Sequence, residues 1–225
     1  MDASPTSQPA VARSRGMLAI WHDVAPGQAA AVREWYSREH HFERLDIPGF
    51  IEARRFERVS GTGAEVFGAY GVATPEVLRS AAYRARVEAP SAWTRESMPH
   101  FRNMSRTVCT VTARAGRAQG GHVAALAATG GVLSDPPASC GDLLKLPGVL
   151  QVTALAAEPE PSAAASVEQT LRAGPDAQVA WVLLIDADSL DAAEHALQAA
   201  RKLTGCRHPV QCAVYRLCFA ARSPS

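Results

Sequence analysis

The chain has 225 residues, a formal net charge of +1, 47% hydrophobic residues and 20% charged residues. This length suffices for one large domain or two small ones, and the composition argues against intrinsic disorder in the body of the chain. A charge so close to zero gives no electrostatic reason to expect nucleic acid or an anionic membrane as a partner, since such partners favour a concentrated basic surface. No stretch approaches the ~20 apolar residues that span a bilayer, so we expect no integral membrane segment.

The five cysteines indicate a reducing compartment. Their number is odd, none of them forms a CxxC pair, and no secretory signal precedes them. We therefore expect a cytoplasmic protein with five free thiols, most of them packed in the core.

The first elements of the chain follow a Pro- and Ser-rich start. Residues 1–15 lack the apolar segment of a signal peptide, which predicts a disordered leader. Residues 17–24 then predict a buried strand. Residues 26–45 predict an amphipathic helix with Pro26 in its first turn.

Two strands, a second helix and a further strand complete this half. The glycines at 61 and 63 predict a hairpin, and Thr74-Pro75-Glu76 is typical of a helix start. The elements in order are a strand over 50–59, a strand over 65–72, a helix over 77–87 and a strand over 101–112. The half therefore has the order βαββαβ.

The second half repeats this plan in a diverged form. Pro48-Gly49 recurs as Pro147-Gly148, 99 residues later, between a helix end and a strand in both cases. A period of this size predicts a duplicated domain. We expect an α+β fold of tandem ferredoxin-like βαββαβ repeats, with halves at 16–115 and 119–221, in a dimeric α+β barrel type of architecture.

The two halves differ in ways that place the chemistry mainly in the first one. Residues 134–141 interrupt the first helix of the second half with two prolines, so we expect that helix to be largely lost. Residues 157–166 add an Ala- and Pro-rich insertion to the second hairpin.

Histidines supply the candidate catalytic groups. Val32, Tyr36 and His40 follow at intervals of four and share one helix face, so His40 is expected to face the sheet. His41 is expected at the helix edge, and Arg44 lies one turn beyond His40. A buried structural histidine, or a partner of the helix dipole, is the alternative interpretation of His40.

Two further histidines lie near strand ends. His22 shares strand parity with apolar residues, so its ring needs a partner or lines a cavity. His100 lies at the start of the strand over 101–112. Arg54 and Arg55 take opposite faces of their strand, either to hold an anion or as surface residues.

Aromatic residues surround these positions, as pocket walls or simply as core: Trp21, Trp35, Tyr36, Tyr70 and Trp93. The sequence has no GxGxxG, Walker, GxSxG or HExxH motif. Cofactor-free and metal-free acid–base chemistry on a small hydrophobic substrate is the interpretation that remains.

Four segments carry a family resemblance: residues 34–50 (EWYSREHHFERLDIPGF), 53–56 (ARRF), 74–83 (TPEVLRSAAY) and 93–104 (WTRESMPHFRNM). Together they resemble a bacterial family related to the EthD-like branch of the dimeric α+β barrel superfamily. The resemblance covers residues 16–113 and is thin beyond them. It implicates His40 or His41 by position, and it implies a fold more than a reaction.

The resulting hypothesis is a lyase, dehydratase or isomerase of small aromatic or polyketide-like metabolites, in the catabolism of aromatic compounds. His40 is the expected acid or base, and His22 or His100 is its counterpart. Arg44 or Arg54 would hold an anionic oxygen. The other substrate-binding candidates are Trp35, Tyr36, His41, Tyr70 and Trp93. The alternatives are a non-catalytic binding protein and a cofactor-free monooxygenase, and a homodimer is expected in each case.

Overall fold

The computed structural model describes residues 13–159, 165–172 and 174–224. Most of the predicted leader, residues 1–12, lies outside the described residues. The described strands are β1 (Gly16–Val24), β2 (Phe50–Thr62), β3 (Val66–Val72), β4 (Phe101–Gly116), β5 (His122–Ala128), β6 (Val149–Ala157), β7 (Trp181–Ala187) and β8 (Gln211–Arg222). The α-helices are α1 (Ala29–Trp35), α2 (His41–Leu45), α3 (Ala81–Glu88), α4 (Ala92–Ser97), α5 (Pro136–Leu144), α6 (Val167–Leu171) and α7 (Leu190–Thr204).

The strands form a closed antiparallel barrel in the order β1-β3-β2-β8-β5-β7-β6-β4. The pairs β2–β8 and β4–β6 join the first four strands to the last four. Closure within one chain leaves no free sheet edge among these strands. This mixed architecture confirms the predicted α+β barrel at the level of the closed sheet.

Alternation along the strands divides the core into the barrel interior and two outer layers. Trp21, Phe67 and Tyr215 belong to the interior cluster, where Trp21 stacks on Phe67 with ring centroids 4.6 Å apart. Helices α1 to α4 cover β1 and β3 on the outside, and α5 and α7 cover β5 and β7. Each outer layer therefore lies between the outside of the barrel and the helices that cover it.

Arg54 faces the barrel interior, whereas Arg55 faces the helices. The Arg54 Nη1 atom donates to Asp186 Oδ1 at 2.6 Å, and the two side chains are 4% and 1% exposed. Burial raises the pKa of Asp186 although the neighbouring Arg54 opposes that rise. Arg54 thus has a structural partner, Asp186, inside the barrel.

Several helix boundaries differ from those expected. Pro26 lies in a turn, and α1 begins only at Ala29. Residues 75–79 form a separate 3-10 turn, because Ser80 interrupts the helix and caps α3 by accepting from the Tyr83 amide. Between α3 and β4, where the sequence analysis placed no element, Ala92–Ser97 form α4, and Ser91 caps it by accepting from the Thr94 amide.

The prolines of the second half start a helix, where the sequence had suggested that they interrupt one. Asp135 accepts a hydrogen bond from the amide of Ala138, and Pro136 and Pro137 occupy the first turn of α5. Proline is tolerated there because amides of a first turn have no partner within the helix. The prolines therefore do not interrupt the helix, although α5 has nine residues and is shorter than the helical segment 29–45 of the first half.

Candidate active site

A π-helical turn places two adjacent histidines on the buried side of the first helix. Residues Tyr36–His40 form this turn between α1 and α2, and the amide of His41 donates to the carbonyl oxygen of Tyr36, five residues earlier. His40 is 4% exposed and His41 is fully buried. The sequence predicted a regular helix with His41 at its edge. The wider turn brings His41 inward, and such turns are frequent at functional sites.

A small cavity lies between this helix and the strands β1, β3 and β4. Its volume is about 20 Å³, which is room for about one water molecule. Its apolar lining comprises Leu18, Ile20, Met98, Phe101 and Met104, and its polar lining comprises Tyr36, His40, Arg44, Tyr70, Tyr83, Arg106, Glu168 and Arg172. We call it the His40 cavity.

Three polar atoms of residues that line the His40 cavity are buried without a hydrogen-bond partner in the described part of the chain. They are His40 Nδ1, Arg44 Nη1 and the Tyr70 hydroxyl. A buried polar group left unpaired costs about 1–3 kcal/mol. Their convergence on one cavity indicates a place for a polar ligand atom or a water molecule.

The protonation state of these groups follows from their burial. Burial lowers the pKa of His40 well below its usual value, and the nearby Arg44 guanidinium and His41 ring lower it further. Burial, followed by the charges of Arg55 and Arg44, lowers the pKa of His41 to about 3. Burial raises the pKa of Tyr70 well above its usual value. At neutral pH the two histidines are therefore proton acceptors, and Tyr70 is a hydrogen-bond donor.

His22 is held by two hydrogen bonds that fix its tautomer. Its Nδ1 lies 3.0 Å from the carbonyl oxygen of Asp23, which can only accept, so Nδ1 carries the proton. Its Nε2 then accepts from the Tyr36 hydroxyl at 3.0 Å. Burial lowers the pKa of His22 to about 4, and the ring stacks on Phe101 with centroids 4.1 Å apart. His22 thus orients Tyr36, which lines the cavity.

The second half of the chain closes the His40 cavity. Glu168 of α6 accepts from Arg44 Nη2 at 2.5 Å, and the two side chains are 6% and 4% exposed. Burial alone would lower the pKa of Arg44, but the Glu168 carboxylate, together with Tyr83 and Tyr70, outweighs burial and raises it. Arg172 lines the same cavity and pairs with Asp176 at 2.5 Å.

Glu168 and Arg172 were missed by the sequence analysis. They follow the Ala- and Pro-rich insertion, far along the chain from the histidine segment. A local signal did exist, because Ser166 and Gln169 form a capping box that starts α6. Nothing in the spacing of residues predicts that α6 reaches the helices of the first half.

The remaining predicted site residues lie around the cavity. Trp35 stacks at a tilt on His40, with centroids 4.2 Å apart, and its Nε1 donates to Thr94. His41 stacks on Phe219 at 4.4 Å. Trp93 is half-buried and packs against the same core cluster.

His100 does not join the other histidines. It is half-buried at the start of β4, its carbonyl oxygen accepts from the amide of Ala25, and it does not line the His40 cavity. The structure therefore gathers His40, Tyr36, Arg44 and Tyr70 around one cavity, with His22 and His41 behind them.

The corresponding layer of the second half is packed with small apolar residues. Ala193, Ala196 and Ala200 of α7 are fully buried against the sheet.

In the ranges that the structure describes, no group of three His, Cys, Asp or Glu residues is arranged to hold a metal ion. Among the same residues, no helix has the length and apolar character to cross a membrane. None of the five cysteines, all of which lie in the described ranges, forms a disulfide bond.

Several solved structures have a fold similar to that of this chain. An anthrone oxidase-like protein matches with a TM-score of 0.62 and 10% identity over 93% of both chains. A candidate monooxygenase from Fusobacterium nucleatum matches with a TM-score of 0.51 and 7% identity, over 93% of this chain and 95% of the other. A candidate chlorite dismutase matches with a TM-score of 0.51 and 11% identity, over 91% and 94%.

The chain has an α+β barrel fold, as these solved structures do. At 7–11% identity the likeness shows the fold alone. Neither a protein-family model nor a curated protein matches the sequence. The resemblance to EthD-like proteins stays a resemblance.

Proposed function

We propose that this α+β barrel protein is an enzyme of small aromatic or polyketide-like metabolites whose reaction begins when His40 takes a proton from the substrate. The observation that carries the proposal is the set of unpartnered polar atoms around the His40 cavity. We interpret the chain as two ferredoxin-like halves, of which the first provides the base and the second, through α6, completes the enclosure.

The roles follow from charge and protonation. His40 is neutral at pH 7 because its pKa is lowered, so one nitrogen of its ring can accept a proton, and its buried Nδ1 has no partner among the described residues. Arg44 Nη1 and the Tyr70 hydroxyl can donate to the oxygen on which negative charge develops. His22 acts through Tyr36 as a positioning residue, since both of its ring nitrogens already have partners.

These protonation states favour isomerisation over a reaction with a separate general acid. A dehydratase that uses two groups needs one of them protonated, yet the pKa values of His22, His40 and His41 are all lowered. A single base can instead take a proton and return it to another atom of the same substrate. We therefore propose an isomerase, or a lyase in which the protonated His40 itself supplies the acid.

Oxygenation is the second candidate, and the names of the structural neighbours favour it. A substrate carbanion made by His40 would transfer electrons to O₂, so that a CH₂ group becomes a carbonyl and one water is released. Proton abstraction is common to both candidates. They differ in whether O₂ is consumed.

Substrate binding requires a larger cavity, because about 20 Å³ holds no more than one water molecule. Pockets for small ligands have volumes on the order of 300–1,000 Å³. We propose that α6 moves away from the first half and carries Glu168 with it.

The test uses anthrone as the probe. Under anaerobic conditions in D₂O, the parent protein is expected to accelerate exchange of the anthrone CH₂ protons, followed by NMR. His40→Gln should lower that acceleration by about 10²–10⁴-fold, the usual effect of losing a general base. His100→Gln is the matched control and should behave as the parent. A folded His40→Gln variant that exchanges protons like the parent would contradict the assignment.

An oxygen electrode then separates the two candidates. Under air, consumption of one O₂ per anthrone, with formation of anthraquinone and water, indicates the monooxygenase. Exchange without O₂ consumption indicates the isomerase or lyase. Binding without exchange would leave a non-catalytic small-molecule binding protein.

Homodimerisation belongs to the proposal as well. The two halves could either close a barrel within one chain or present apolar sheet faces to a second chain, and the second possibility supported a dimer. In the structure these faces lie inside the barrel of a single chain. That reason no longer supports a dimer. Light scattering at micromolar concentration distinguishes the dimer from the monomer.

A further inference from the structure

A second pocket, with a volume of about 300 Å³, lies beside α1, and the buried Arg55 is one of the residues that line it. Val24, Val32 and Val66 form its apolar wall, and Arg33, Arg55 and Glu57 are among its polar residues. We call it the Arg55 pocket. Its volume is that of a small-ligand site, about fifteen times that of the His40 cavity.

Arg55 is built into the wall of this pocket. Its side chain is 4% exposed, its guanidinium carbon lies 5.9 Å above the Tyr36 ring, and its Nη1 donates to Glu57 at 3.1 Å. The Nε atom is buried and has no hydrogen-bond partner in the described part of the chain. Arg54 Nε is also unpartnered, but Arg54 faces the barrel interior and does not line this pocket.

The charges at the pocket do not balance. A single oxygen of Glu57, Oε1, accepts from both Arg33 Nε at 2.8 Å and Arg55 Nη1 at 3.1 Å. Burial tends to raise the pKa of Glu57, but the two arginines outweigh it and lower the pKa, which keeps the carboxylate ionised. One carboxylate shared by two guanidinium groups leaves one positive charge. Arg58 and Glu65 also line the pocket, are exposed to solvent, and offset each other.

We propose that the Arg55 pocket binds a small monocarboxylate whose carboxylate accepts a hydrogen bond from Arg55 Nε and whose apolar body packs against Val24 and Val32. The negative charge of the ligand neutralises the positive charge that Glu57 leaves uncompensated. The carboxylate also pairs the buried Nε, and charge-assisted bonds of this kind are roughly twice as strong as neutral ones. This site is separate from the His40 cavity, with which it shares the Tyr36 side chain, and it does not depend on the proposed reaction.

Calorimetric titration of the full chain with benzoate tests the proposal, with benzamide as the neutral probe of the same shape. Benzoate should bind about 10–100-fold more tightly than benzamide, the factor expected for hydrogen bonds to a charged group. Arg55→Lys keeps a positive charge and removes the planar donor group, so it should weaken benzoate binding by about tenfold or more.

Three further variants make the result specific. Ala29→Phe fills the pocket from an exposed position on α1 and should abolish benzoate binding in a protein that remains folded. Arg38→Lys, an exposed arginine that does not line the pocket, is the matched control and should bind like the parent. His40→Gln should also bind like the parent.

The proposal is overturned if benzoate and benzamide bind equally, if neither binds, or if Ala29→Phe binds benzoate as the parent does. It is also overturned if His40→Gln abolishes binding, since benzoate would then occupy the His40 cavity. Should Arg55→Lys unfold, Ala29→Phe decides the question by itself.

Discussion

Replacing Glu168 by alanine removes the carboxylate that neutralises Arg44 inside the protein. The two side chains are 6% and 4% exposed, and Arg44 Nη1 already has no partner among the described residues. Breaking a buried pair of this kind costs about 3–5 kcal/mol, because a charge stays buried without compensation. Since a domain is stable by only about 5–15 kcal/mol, the loss is a large share of the free energy of unfolding.

Urea denaturation and thermal unfolding measure this change. For a chain of this size, 3–5 kcal/mol corresponds to a melting temperature lower by roughly 6–20 °C. Glu34→Ala is the matched control, because it breaks the exposed pair with Arg38, and such pairs contribute about 0–1 kcal/mol. The double replacement Arg44→Met with Glu168→Leu should recover most of the lost stability, since apolar residues of similar volume can replace a buried pair.

The result that would refute this reasoning is a Glu168→Ala variant less than about 1 kcal/mol below the parent. Arg44 would then be reached by solvent, and α6 would not enclose the cavity.

Two further predictions concern the stability of the protein at acidic pH and the reactivity of its cysteines. The pKa of His22 is lowered to about 4 in the folded protein and is about 6.5 in the unfolded chain, so the unfolded chain binds the extra proton between these values. Stability should therefore fall by roughly 3 kcal/mol as the pH drops from 6.5 to 4, and His22→Gln should show a shallower fall in urea denaturation across that range. The cysteines should all react with a thiol reagent under denaturing, non-reducing conditions, because each of them is free in the structure. Recovery of fewer than five thiols would contradict this.

The sequence predicted the barrel because its signals were local and repeated. Alternating strands such as 50–59, the glycines of the first hairpin and the recurring Pro-Gly pair each specify an element without reference to distant residues. The order of the elements, together with the rules for their connection, then leaves few architectures. That is why an α+β barrel architecture was predictable.

The candidate site was predictable only in part. His40, Tyr36 and Arg44 follow helical spacing, and Tyr70 lies on an alternating strand. Glu168 reaches Arg44 across 124 positions of the chain, and no periodicity encodes such a contact. The buried position of His41 depends on the π-helical turn, in which an amide donates to the carbonyl oxygen five residues earlier. The prediction assumed the regular α-helix, in which that spacing is four residues.

The π-helical turn has a consequence that a deletion can test. A π turn holds one residue more than an α turn, so removing one exposed residue from it should give a regular α-helix and leave α1 and α2 in register. Arg38 is exposed, and its ion pair with Glu34 lies on the surface.

Deletion of Arg38 is therefore expected to change the free energy of unfolding by no more than about 1 kcal/mol, with His40 and His41 still buried. Deletion of the exposed Arg84 in the regular helix α3 is the control. It rotates Val87 away from the core relative to Tyr83, and losing the burial of one such side chain costs about 1.5–3 kcal/mol. Urea denaturation compares the two deletions. If loss of Arg38 destabilises the protein as much as loss of Arg84, the turn is not an added residue in an otherwise regular helix, and the placement of the histidines depends on the packing of the whole layer.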